Sequence, residues 1–440
     1  VNQRSQAPGD RRAQGRIAVD IGGTFTDIIC CPEGRPAIAR KVLSTPDNYA
    51  RAVVEAPSVK AAWARVDAAK GETRQAAARA TPELMTEHRD AFDGMNRQTA
   101  VGVSVPLELG RRGARTAVAV LDTARVALLA NEEARQVAAR VRLAAVRALA
   151  ADRRVAIGLE NVGTHQAVCD LLSARVQAGA TAQLELDMHE VELMRAQVAV
   201  TGLRAEAVAR WNDLKVAAGV PAEMGITLID SLEDAVARIR AVAPTLAWTD
   251  LDSRYDVAEA QTAMELADAK ADVARRDGKL DLSLNATYMR TSSGFDLLGM
   301  SERGNLPIQN GMHEVLIGAT IMLPSRSKTA GAVAAAEAEG RAAAHERDGR
   351  LLAARAEVAA AENRDKEAGT ALGIYAGGLI TEAAHVRDVV RESFALGRAT
   401  RLEVLDAERQ YRDVREAHVG ALVEAFEARV LWMLALGGTR

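Results

Sequence analysis

The chain repeats itself. Val176-Gln-Ala-Gly179, followed by Leu184-Glu185-Leu186, recurs as Ala395-Leu396-Gly397, followed by Leu402-Glu403-Val404, at an offset of 218 residues. The same offset carries Pro106, which closes the apolar run Val101-Gly-Val-Ser-Val, onto Pro324, which closes Ala319-Thr-Ile-Met-Leu, and Gly219 onto Gly437. Upstream, residues 59–84 fall on residues 257–282 at an offset of 198. The 20-residue difference places an insertion in residues 291–310, a stretch rich in Ser, Gly, Asn and Asp whose composition predicts a loop. Two copies of one unit imply two copies of one supersecondary arrangement.

Each copy reads helix, strand, loop, strand, helix, turn, helix. Residues 115–159 hold no proline, and their apolar positions recur at helical spacing. Such a run, at 1.5 Å per residue, reaches about 65–70 Å. Residues 165–218 read alike, as do 329–376 and 379–436 in the second copy. Helices of this length imply side-by-side packing along a seam rather than an ordinary globule. Aromatic residues make up only 3% of the chain, too few to fill one large core, whereas abundant alanine lets helices approach closely. Glycine ends helices readily, so the turns are expected at Gly158 and Gly163 and, in the second copy, at Gly377 and Gly378. Gly179 and Gly397 are read as points of close helix approach or small irregularities.

The strands alternate. Leu280, Leu282, Leu284, Ala286 and Tyr288 share one face, with Asp281, Ser283, Asn285 and Thr287 on the other. Val315, Ile317, Ala319, Ile321 and Leu323 form an apolar face in the next strand, as do Val101, Val103 and Val105 in the first copy. The strand from Pro82 to Phe92 alternates poorly, and any membrane-spanning part of it is expected to be short or shifted. About ten residues is what a tilted membrane strand needs, and Val101, Val103, Val105, Leu282, Leu284, Ile317 and Ile321 are the candidate lipid-facing positions. Four strands cannot close a wide barrel, and an open sheet in lipid leaves edge N–H and C=O groups unpaired. A membrane reading therefore requires several chains to share one barrel.

Charge excludes other classes. The 56 basic and 59 acidic residues nearly cancel, and they interleave along helix faces, so no nucleic-acid partner is expected. Cys30, Cys31 and Cys169 fit neither a disulfide framework nor a zinc motif. His88, His165, His189, His313 and His345 show no helical pairing, so no metal site is expected. No apolar run is long enough for a transmembrane helix, and residues 1–15 carry no apolar core of a secretory signal.

Several segments carry a resemblance: Pro57-Ser-Val-Lys-Ala-Ala62, Pro82-Glu-Leu84, Val105-Pro-Leu-Glu-Leu-Gly-Arg-Arg-Gly-Ala-Arg115, Gly179 with Leu184-Glu185, and Gly397-Arg-Ala-Thr-Arg-Leu-Glu-Val-Leu-Asp-Ala407 with Leu436-Gly-Gly438. Residues 57–438 resemble the TolC-type outer membrane efflux proteins, nearest to the CzcC-like heavy-metal branch. The resemblance implies a mainly α chain with a small β part. Its duplicated long helices would join an α-barrel, and its four strands a twelve-stranded membrane β-barrel shared by a homotrimer. It further implies an outer-membrane channel with a periplasmic extension, no cofactor and no catalysis. The implied partners are a periplasmic adaptor and an inner-membrane pump of RND type, and the implied cargo is divalent heavy-metal cations. The glycine turns would form the periplasmic tip. Repeat one is placed at about 57–220 and repeat two at about 250–438.

The first 56 residues read differently. Arg16-Ile-Ala-Val-Asp20-Ile-Gly22-Gly23-Thr24-Phe-Thr26-Asp27, then Lys41-Val-Leu-Ser-Thr-Pro46, resembles the start of the hydantoinase A/oxoprolinase family over residues 16–55. By that resemblance Asp20, Gly22, Gly23, Thr24, Thr26 and Asp27 stand at phosphate-loop positions, where backbone N–H groups approach phosphate. The rest of such an enzyme is missing from the pattern, so the segment is read as a fused fragment or a start-site artefact that binds no nucleotide. An ATP-dependent hydantoinase-like enzyme and a soluble coiled-coil scaffold are the competing readings.

Overall fold

The computed structural model describes residues 16–19, 25–31, 38–43, 56–92, 96–223, 225–228, 230–242, 248–301, 304–323 and 326–437. They fall into two compact units, one of Val1–Trp63, Leu129–Val257 and Arg350–Arg440, the other of Ala64–Leu128 and Ala258–Gly349.

The second unit holds an antiparallel sheet of β4 (Glu83–Asp90), β5 (Asn96–Leu107), β7 (Asp281–Ser301) and β8 (Gly304–Met322), in the order β4-β5-β7-β8. The poorly alternating first strand is paired along its whole length, from Glu83 opposite Ser104 to Asp90 opposite Arg97. Over their described residues, 291–301 and 304–310, the inserted residues are not a loop. They extend β7 and β8 in one continuous ladder, from Thr291 opposite Met312 out to Ser301 opposite Gly304, with a bulge between Phe295 and Leu298. Ladder hydrogen bonds satisfy the backbone whatever the side chains are, so a Ser/Gly-rich stretch stays extended once its partner strand is beside it. The helical parts of this unit are tied by Thr73 to Thr123 at 2.9 Å, Arg125 to Glu259 at 3.2 Å and Arg275 to Glu337 at 2.8 Å.

The helices run through both units in sequence. They are α1 (Pro57–Ala77), α2 (Arg111–Gln177), α3 (Gln183–Ala217), α4 (Leu232–Ala241), α5 (Tyr255–Asp277), α6 (Arg326–Ile374), α7 (Ile380–Ala395) and α8 (Arg401–Ala435). The 67 residues of α2 make about 100 Å of helix. Among the described residues, no helix is long and apolar enough to cross a membrane.

The turns differ from the sequence expectation. α2 passes through Gly158 and Gly163 without a break. Residues Tyr375–Leu379 form a π-type turn with Gly378 at φ 124°, a kink after which the helix goes on as α7. Reversal comes about twenty residues later in each copy, at Gly179 (φ 71°) and Gly397 (φ 73°). At the first, Gly179 N–H donates to Val176 O and Ala180 N–H to Arg175 O, at 2.9 and 2.8 Å. At the second, Gly397 N–H donates to Phe394 O and Arg398 N–H to Ser393 O, at 2.9 and 2.8 Å. This capping pattern needs a left-handed residue just past the helix end, which glycine adopts without a Cβ penalty.

The first unit is built on these two hairpins. Cys169 and Leu172 of α2 pack against Leu186 and Leu193 of α3. Arg391 of α7 pairs with Glu408 of α8, and Arg364 of α6 donates to Glu424 at 2.7 Å. The main core joins Val146, Ala150 and Ile157 of α2 to Val419, Leu422 and Phe426 of α8. α4, which falls between the two sequence repeats, adds Leu232, Val236 and Ile239 to that core. Ser231 caps α4 by accepting from Asp234 N–H at 3.1 Å. A second sheet has the order β3-β2-β1-β6, from β1 (Arg16–Val19), β2 (Phe25–Cys31), β3 (Ile38–Leu43) and β6 (Gly225–Leu228). β1 runs parallel to β6, with Ile17 opposite Ile226.

Candidate functional site

Two places can do more than hold the fold: the four-stranded sheet and the ends of the hairpins. In the sheet, register and pleat put every candidate apolar position on one face. Val105 lies opposite Leu284, Val103 opposite Ala286, and Val101 opposite Tyr288. Leu282 lies opposite Ile321, Ala286 opposite Ile317, and Tyr288 opposite Val315. Val101, Val103, Val105, Leu284, Ile317 and Ile321 are exposed, Ile317 at 85%, while Leu282 is half-buried. The opposite face carries Ser104, Ser283, Asn285, Thr287 and Thr320, with Asn285 donating to Thr320 at 2.7 Å. Among the described residues, edge strands β4 and β8 each have one neighbour. A sheet that bares its apolar face and polarises the other has reversed the arrangement of a water-soluble sheet, which hides apolar side chains.

Back along the hairpins from their ends, polar side chains cross-link the helices. Arg391 of α7 donates to Thr164 of α2 at 3.1 Å while it pairs with Glu408 of α8. Arg415 of α8 pairs with Glu160 of α2, and the guanidinium of Arg387 sits 4.0 Å above the Tyr411 ring. The Arg415 side chain holds the Glu160 carboxyl below the usual carboxylate range. Gly158, expected at a turn, instead lies within α2 against Val200 and Leu203 of α3. Gly163 has no neighbour within 4 Å where a Cβ would stand.

Sequence spacing missed one cluster. His165 and His189 are 24 residues apart, yet the reversal at Gly179 brings His165 Nδ1 to 3.3 Å from His189 Nε2. No sequence spacing marks the pair, since His165 stands 14 residues before Gly179 and His189 ten after it. Among the described residues, no group of three or more His, Cys, Asp or Glu side chains is gathered to hold a metal ion. Of the phosphate-loop positions, Asp20, Gly22, Gly23 and Thr24 lie outside the described residues. Thr26 and Asp27 fall within β2, opposite Val42 and Lys41 of β3.

Residues 249–438 match the outer membrane efflux protein family. The chain is similar in fold to solved membrane proteins over 88% of its length. It aligns with a membrane protein from Pseudomonas aeruginosa at TM-score 0.72 and 17% identity, covering 88% of this chain and 90% of that one. It aligns with CusC at TM-score 0.71 and 17% identity, over 88% and 90% of the two chains. It aligns with the outer membrane protein VceC of Vibrio cholerae at TM-score 0.68 and 18% identity, over 88% and 94%. No curated protein sequence matches. Residues 16–211 match the hydantoinase/oxoprolinase N-terminal region, a stretch that reaches past β1–β3 through α1, β4, β5 and α2 into α3.

Proposed function

We propose that this chain is the outer-membrane channel subunit of a tripartite efflux system, a passive conduit and not an enzyme. The observation that carries the reading is the exposed apolar face that β5, β7 and β8 share, on a sheet whose edge strands have no further partner among the described residues. In lipid such edges must be paired, and three copies offer twelve strands to close a barrel. The helical hairpins would extend into the periplasm, their ends at Gly179 and Gly397 forming the tip that meets a periplasmic adaptor and an RND-type pump. Resemblance of the Gly397–Ala407 segment to the CzcC-like branch supports divalent heavy-metal cations as cargo.

The test is reconstitution of the full chain. It should extract into detergent as a trimer, and Ile317→Arg on the apolar face should cost about 2–4 kcal/mol of bilayer stability. A water-soluble monomer indifferent to Ile317→Arg would overturn the reading. The match of residues 16–211 favours one second reading, an ATP-dependent hydantoinase-like hydrolase. ATP-dependent hydrolysis that Asp20→Ala abolishes would establish it.

A further inference from the structure

His189 is 1% exposed, and its Nδ1 atom is buried with no hydrogen-bond partner among the described residues. Its other nitrogen faces His165 Nδ1 at 3.3 Å, with the two ring centroids 5.1 Å apart. The pair sits between α2 and α3, one residue from Thr164, where Arg391 ties the first hairpin to α7. Two facing imidazole nitrogens can share a hydrogen bond only while one of them keeps a lone pair. We propose that His165 and His189 form an acid-sensitive latch that holds α2 and α3 together when neutral, and releases them when protonated.

The surroundings set the direction. On α3, Glu192 favours the protonated pair. On α8, Glu408 favours it for His165, while Arg409 and Arg412 oppose it there, and Arg401 opposes it for His189. Burial outweighs the carboxylates. It lowers His165 below the ordinary histidine range and pushes His189 down to about 4, with His165 and Arg401 adding to the effect at His189. An opened hairpin exposes histidines that take up protons near the ordinary value of about 6.5. Between those values the open state binds more protons than the closed one, so the closed state loses stability as pH falls from about 6.5 toward about 4. A second proton would turn both facing nitrogens into donors, placing two cations in contact beside Arg401.

The decisive experiment is hydrogen exchange on the full chain in detergent at pH 7.5 and pH 5, with rates corrected for the intrinsic effect of pH. Peptides covering residues 160–195 should lose protection by about tenfold at the lower pH, while peptides from residues 281–322 keep theirs. His189→Leu places an apolar side chain beside Leu186 and Leu193, and should keep the hairpin protected at both pH values. His165→Gln, which keeps a polar partner for His189, should reduce the acid loss to the part that the buried His189 contributes. Equal protection of the wild type at both pH values would overturn the latch, as would an unchanged acid loss in both variants.

Discussion

Gly158 of α2 lies so close to Leu203 of α3 that a Cβ at this position would stand 2.8 Å from Leu203 Cδ1 and 3.1 Å from Val200 Cγ2. Its neighbour Gly163, five residues on, has open space there. The two glycines share a helix and differ only in what faces them. Gly158→Val should therefore destabilise the hairpin by about 1–3 kcal/mol through overpacking. Gly163→Ala should stabilise it by about 0.8–1.0 kcal/mol through helix propensity alone. Thermal unfolding of the two variants against the parent chain checks both signs.

The two hairpins are capped unequally. Thr400 accepts from Glu403 N–H at 3.3 Å, and Glu403 answers by accepting from Thr400 N–H at 2.6 Å. The equivalent of Thr400 in the first copy is Ala182, which has the same extended backbone (φ −74°, ψ 144°) but no side chain to cap α3. Glu185 already stands where the returning carboxylate is needed. Ala182→Thr should complete the box and add about 0.5–2 kcal/mol, and Thr400→Ala should remove a similar amount. Denaturant titrations of both single variants and the double exchange measure this.

Asp365 of α6 is 5% exposed and its single carboxylate faces two arginines. Arg429 of α8 grips it through two bonds of 3.0 and 2.9 Å, and Arg240 of α4 donates at 3.3 Å. Removing the carboxylate strands two guanidiniums with little access to water. Asp365→Ala should cost about 3–5 kcal/mol and release α4 first. Proteolysis between residues 230 and 242 would report that release, and a variant as stable as the parent would contradict it.

The Glu160–Arg415 pair titrates in a different window from the histidines. Arg415 lowers the Glu160 carboxyl below its ordinary value, so its contribution is full above about 4.5 and is lost as pH falls through the depressed value. Glu160→Gln should flatten the acid limb of stability below pH 4.5 and leave the range from 6.5 to 4.5 unchanged. Acid titrations followed by circular dichroism separate the two.

Duplication was legible because it is a property of residue order. α1 and α5 begin at Pro57 and Tyr255, and β4 and β7 at Glu83 and Asp281, both pairs at the offset of 198 read from sequence. The left-handed glycines Gly179 and Gly397, and Gly219 and Gly437, fall at the offset of 218. The amphipathic faces of β5, β7 and β8 followed from alternation, since pleat fixes which residues share a side. α4 left a fainter trace, in Ser231 with Asp234 and in Leu232, Val236 and Ile239 at helical spacing. His165 and His189 left none, because their meeting depends on where the helix reverses.

The sequence by itself determined the elements, their order and their twofold repetition, through local periodicity that each segment carries alone. Tertiary structure decided which glycines turn the chain and whether residues 291–310 are strand or loop. Glycine permits both a left-handed cap and a close helix contact, and an extended segment is satisfied by any partner that supplies the opposite ladder. At Gly158 a packed Leu203 selects the contact, at Gly179 the capping hydrogen bonds select the turn, and along β7 the facing strand β8 selects the ladder.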